Sequence, residues 1–223
     1  MCPVIIWYEP WPARSKWKRL LLVTHAQKIN IALSRVPTWP VYLVGALPPF
    51  WFLYLGLTGG LGAEPINALE RELGRLVLQM MIAVVAVTPL RNWTGVNLVK
   101  FRRAIGLLTF YYVACHLLVW LVLDVQILGQ IWADIVKRPY ITIGMLAFTL
   151  MIPLAVTSNN WSIRKLGPKG WRRLHQLTYA AAALGSVHFV MLAKGFQIEP
   201  LIYLGIVLAL LATRIRLPKR VTA

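Results

Sequence analysis

The sequence predicts an all-α membrane protein, a bundle of six transmembrane helices with both termini in the cytoplasm. Three observations predict it. Of the 223 residues, 58% are hydrophobic, and the mean hydropathy is +0.63; an ordinary soluble domain is about 45–50% apolar. The formal net charge is nevertheless +17, from 24 Lys plus Arg against 7 Asp plus Glu. Charge and apolarity are segregated into alternating blocks, the pattern that a multi-pass membrane protein requires. A nucleic-acid partner would instead want basic charge spread over a polar surface, so lipid is the expected partner and nucleic acid is not.

The elements follow in order. Residues 1–38 read as a basic cytoplasmic segment. The apolar stretch at 18–32 is interrupted by His25, Gln27, Lys28 and Asn30. That argues against a cleavable signal peptide and for an amphipathic helix on the membrane surface. Residues 39–216 hold the six-helix domain, and 217–223 form a short cytoplasmic tail. A bilayer core about 30 Å thick needs about 20 apolar residues in a helix. Six segments suit it, at 39–57, 75–90, 104–123, 140–157, 174–193 and 200–213. Turn residues fill the gaps at 59–62, 92–95 and 167–170, where Gly and Pro interrupt helices. Helices are the default because each segment in lipid must satisfy its own backbone polar groups.

Orientation comes from the loops. The N-terminal segment, second loop, fourth loop and C-terminal tail carry 19 basic residues, the other three loops with adjacent helix ends only 5. Glu64, Glu70, Glu72, Asp124, Asp134 and Glu199 all lie on the second side. The positive-inside rule puts both termini in the cytoplasm and the acidic side outside, as in a bacterial inner membrane.

Cys2 and Cys115 sit in no CxxC or CxxCH setting, so neither a disulfide framework, a zinc site nor covalent haem attachment is expected. The chemistry rests on histidines. His116 lies in the third span, and His175 and His188 in the fifth; His25 reads as structural or interfacial. Ionisable groups inside a span are costly and usually functional, and b-type haem takes axial imidazoles. His116 is eight residues before Asp124 and His188 six before Lys194, so both lie roughly 9–12 Å inside the outer end. One lone intramembrane histidine serves equally well as a hydrogen-bond donor between helices; two at one depth on parallel helices favour haem. His175 lies roughly 20 Å toward the cytoplasm, level with Arg102 on the third span. A second haem there has one histidine, with Arg102 or Arg103 as partners for its propionates, since a guanidinium matches a carboxylate. A 13-residue step turns about 140° on a helix, so a shared channel calls for a π-bulge or kink near Gly185.

Several stretches carry a resemblance: GGLGAEP at 59–65, TPLR at 88–91, FRRAIGLL at 101–108, HLLVW after Cys115, KRPYITIG at 137–144, LAVTS at 154–158, LGPKGWRRLHQLTY at 166–179 and EPLIY at 199–203. The chain resembles the MsrQ (YedZ) family of haem-binding membrane subunits and, more distantly, the ferric-reductase and NADPH-oxidase transmembrane domain. The resemblance covers about residues 45–216. It implies that His116, His175 and His188 are the haem-associated metal ligands, with haem b, one or two per chain, and FMN as an associated cofactor. It implies electrons from the quinone pool or a flavin donor such as a cytoplasmic flavin reductase. The partner it implies is a periplasmic molybdopterin-containing, MsrP-like reductase that repairs methionine sulfoxide. Where the wider superfamily has a fourth histidine, this sequence has Arg102. Ending at Ala223, the chain is expected to lack a flavin or NADPH domain, and so to act as an electron-transfer subunit that completes no reaction alone. The alternatives are a ferric or cupric reductase or quinol-oxidising cytochrome b using the same haem cage, and a transporter or proton channel with histidine relays.

Overall fold

The computed structural model describes residues 25–193 and 195–214. Nine α-helices make up almost all of it, and no strand forms among the described residues. Each of the six segments expected to span the bilayer is a helix. These are α2 (Trp39–Leu57), α3 (Pro65–Thr94), α4 (Arg102–Val119), α6 (Pro139–Val156), α8 (Leu177–Leu192) and α9 (Ile198–Ala212). Four helical stretches, Trp39–Leu57, Pro65–Thr94, Val99–Val125 and Pro139–Val156, are long and apolar enough to cross a membrane. At 16 and 15 residues, α8 and α9 fall short of the about 20 that a straight crossing needs.

The first helix among the described residues, α1 (His25–Arg35), buries no residue. It covers the later part of the amphipathic segment expected at 18–32; residues 18–24, and the tail at 217–223, lie outside the described residues. Polar clips dock α1 on the turn between α3 and α4. Asn30 donates to the Gly95 carbonyl at 2.9 Å and accepts from the Asn97 amide at 2.8 Å. Lys100 Nζ donates to the carbonyls of Ser34 and Val36. Gly95 ends α3 at φ +76°, a left-handed cap that glycine adopts without steric cost.

Outer faces stay apolar. Leu43, Val44, Leu47, Phe50, Trp51 and Leu57 of α2 are all exposed, far more apolar surface than a monomer leaves in water. Together with the four apolar helices long enough to cross a bilayer, this surface suits lipid. Tyr112 of α4 holds α2 by donating to the Gly45 carbonyl. The interior is a cluster of Met81, Val85, Met151, Ala181, Ala182 and Val207, drawn from α3, α6, α8 and α9. The small side chains of α8 let its backbone pack closely, the usual basis of helix association in lipid.

Two expectations need correction. The second segment, expected from residue 75, begins at Pro65, because Arg75 bonds both Glu72 (2.6 Å) and Glu199 (2.8 Å) and so stabilises charges within the helix. The loops are also not bare turns. They hold α5 (Leu128–Lys137) and α7 (Asn160–Leu174), the latter kinked at Gly167 with φ 69°.

Candidate cofactor site

Helices α4 and α8 run parallel, with Arg102 and His175 lining one cavity at one end and His116 facing His188 toward the other. The two imidazole centroids are 6.5 Å apart, with planes at 77°. A first-row metal sits about 2 Å from an imidazole nitrogen, which puts the centroids of two rings on opposite sides of it roughly 6–7 Å apart. The spacing therefore suits one metal atom between the rings.

The tautomers suit it too. Nδ1 of His116 lies 3.0 Å from the Glu70 carbonyl, and Nδ1 of His188 lies 2.7 Å from the Tyr140 carbonyl. A carbonyl only accepts, so each Nδ1 carries the proton and donates it. Each Nε2 is left with its lone pair. A metal-binding histidine commonly has its other nitrogen held in this way, which orients the ring and raises its basicity. Among the described residues no three His, Cys, Asp or Glu side chains gather as metal ligands. Two imidazoles thus suit a metal whose remaining ligands come from a macrocycle.

A cavity of about 470 Å³ opens at the other end, walled by α3, α4, α6, α7 and α8. His175 lines it together with Arg102, Arg103 and Arg172. The His175 ring stacks on Trp171 at 3.8 Å, and its Nε2 lies 3.1 Å from Thr157 Oγ1. Arg103 donates to Asn160 Oδ1 at 2.9 Å. Arg102 has no hydrogen-bond or ion-pair partner among the described residues, so its guanidinium is available to an anionic group. The kink expected near Gly185 is absent, because α8 is regular from Leu177 to Leu192. The break falls instead at His175 and Gln176, between α7 and α8. His175 stands outside α8 and lines the cavity beside Arg102.

Residues 73–186 match the family described as ferric reductase like transmembrane component. Over 181 residues the chain is 49% identical to the protein-methionine-sulfoxide reductase heme-binding subunit MsrQ of Brucella anthropi, covering 81% of this chain and 82% of that one. Subunits of the same name from Brucella ovis and Brucella melitensis match to the same extent. The chain belongs to the MsrQ family.

No solved structure matches the chain. The ferric-reductase-like match takes in His116, His175, Arg102 and Arg103 and stops two residues short of His188. His188 is nevertheless the residue whose ring meets His116. Sequence reasoning missed Glu70, Tyr140, Thr157 and Trp171. The first two act through backbone carbonyls, which leave no mark on residue type. An aromatic four residues before His175 was a visible signal for stacking, since such spacing puts side chains on one helix face.

Proposed function

We propose that this MsrQ-family chain is the haem b electron-transfer subunit of a methionine sulfoxide reductase system in a bacterial inner membrane. One observation carries the reading: the imidazoles of His116 and His188, from separate parallel helices, lie 6.5 Å apart between centroids, each with Nδ1 on a backbone carbonyl and an unprotonated Nε2. The names of the Brucella relatives support it. Bound there, haem supplies a carrier of single electrons.

The chain's own residues do the rest. Glu70 and Tyr140 hold the Nδ1 protons and keep both rings turned inward. Arg102 lines the second cavity, where it would hold the carboxylates of a second haem or the phosphate of FMN. His175 lines the same cavity, with Nε2 held by Thr157.

All six apolar helices cross the bilayer in this reading, α8 and α9 helped by their flanking residues, with both termini on the cytoplasmic side. Residues 39–216 are the membrane domain, and 1–38 and 217–223 are cytoplasmic. The His116–His188 end then faces the periplasm, toward an MsrP-like molybdopterin reductase. The His175 end faces the donor, the quinone pool or a flavin reductase.

The test is the dithionite-reduced absorption spectrum of purified His116→Ala and His188→Ala variants. Loss of the b-type signal tied to this pair is expected in each, and a full signal in both would remove the assignment. Electron delivery to a purified periplasmic methionine sulfoxide reductase, rather than to ferric chelates, tests the physiological acceptor.

A further inference from the structure

Gly144 stands one helical turn after Tyr140 on α6. A Cβ placed on Gly144 would lie 2.9 Å from Nδ1 of His188 and 3.0 Å from its Cε1, well inside the about 3.5–4.0 Å at which nonbonded carbons rest. The geometry has a simple cause. Every Cα–Cβ bond of an α-helix tilts toward the N-terminus, so the side chain at i+4 overhangs the turn that contains residue i. Any side chain at 144 would cover the Tyr140 carbonyl, which accepts the Nδ1 proton of His188.

We propose that Gly144 is a positioning residue for the haem-ligating imidazole of His188, its missing side chain forming the notch through which Nδ1–H reaches the Tyr140 carbonyl. The inference rests on the haem reading above. His116 is seated in the same way but with more room. Its Nδ1 bonds the Glu70 carbonyl, and Gly74 stands one turn on. A Cβ there would meet His116 Cε1 at 3.4 Å and Nδ1 at 3.6 Å, ordinary contacts that alanine satisfies and a larger side chain does not. Other glycines of the bundle lack the relationship: at Gly185 a Cβ meets only Leu78, at 3.7 Å, and at Gly205 nothing within 4 Å.

The experiment compares Gly144→Ala, Gly74→Ala, Gly205→Ala and His188→Ala in the full-length detergent-solubilised chain. Haem affinity, the low-spin ferric EPR signal and the reduction potential are read for each. Alanine is the better helix former, so a weakened helix cannot explain a loss. Gly144→Ala is expected to lower haem affinity ten- to a hundred-fold, the usual cost of a lost outer hydrogen bond to a metal ligand. The haem that remains should titrate at a higher potential with a changed EPR signal, because a less basic imidazole stabilises ferric iron less. Gly74→Ala and Gly205→Ala should stay within about twofold of the parent. His188→Ala tests the underlying reading: if it keeps its full haem, the reading fails. If His188→Ala loses haem while Gly144→Ala keeps parental affinity, potential and EPR signal, the notch is overturned and the reading stands. Should Gly144→Ala not accumulate, Gly74→Leu places the same obstruction on His116. Parental haem properties in that variant would overturn the shared argument.

Discussion

Nε2 of His175 lies 3.1 Å from Oγ1 of Thr157. The Thr157 hydroxyl has a single proton, which goes to the Pro153 carbonyl at 2.6 Å. Its oxygen therefore accepts from His175, and His175 is protonated on Nε2 with its lone pair on Nδ1. This is the opposite tautomer to that of His116 and His188. The three histidines are thus not equivalent, and His175 is already tied to the protein through the nitrogen that the other two leave open.

Thr157→Val keeps the shape of the side chain and removes the acceptor. The His116–His188 haem signal should be unchanged, while electron delivery through the chain falls about ten-fold, the lower range for a disturbed outer partner. Absorption spectra alongside turnover with an external acceptor check both halves of this expectation.

Arg102 and Arg103 should separate by substitution. Arg103 is engaged by Asn160, whereas Arg102 lines the cavity without such a partner. Arg102→Gln should therefore weaken retention of an anionic cofactor in that cavity more than Arg103→Gln. Cofactor content per polypeptide after gel filtration gives the comparison, and equal loss from both would refute it.

How far the sequence could be read shows in these same residues. Hydropathy located all six apolar helices, since apolar length is what lipid demands. A rise of 1.5 Å per residue put His116 and His188 at one depth, and their rings do meet. Charge misled the reading of α3. Glu70 and Glu72 looked like loop, yet Pro65 starts the helix ten residues before Arg75 and the acids lie along it. With that start went the Glu70 carbonyl and the clearance at Gly74. Backbone carbonyls, and glycines that matter for what they leave open, carry no pattern of period or charge. The break at His175 was invisible for a similar reason: the residue there stacks on Trp171 and bonds Thr157, both contacts of the folded chain.

Tyr112 is fully buried, and its hydroxyl donates to the Gly45 carbonyl. Tyr112→Phe keeps the packing and leaves that acceptor unpaired, because the residue four positions on is Pro49, which has no N–H to donate. A stability loss of about 1 kcal/mol follows, read as a lower thermal midpoint in detergent with the haem spectrum intact. A variant as stable as the parent would show that α2 is held by apolar contact alone.

The orientation has its own check. Ala63 and Lys169 are both exposed, in loops expected on opposite sides. In a chain lacking Cys2 and Cys115, a membrane-impermeant maleimide should label Ala63→Cys in intact spheroplasts and Lys169→Cys only after the membrane is opened. The reverse pattern would invert the proposed direction of electron flow.

Helices α3 and α4 pack extensively, as do α6 and α8, yet α4 and α8 hardly touch. Each imidazole therefore belongs to a different half of the bundle, and the pair straddles the seam. Iron held by both would add a second tie across that seam, beside the core cluster that already joins α3 to α6, α8 and α9.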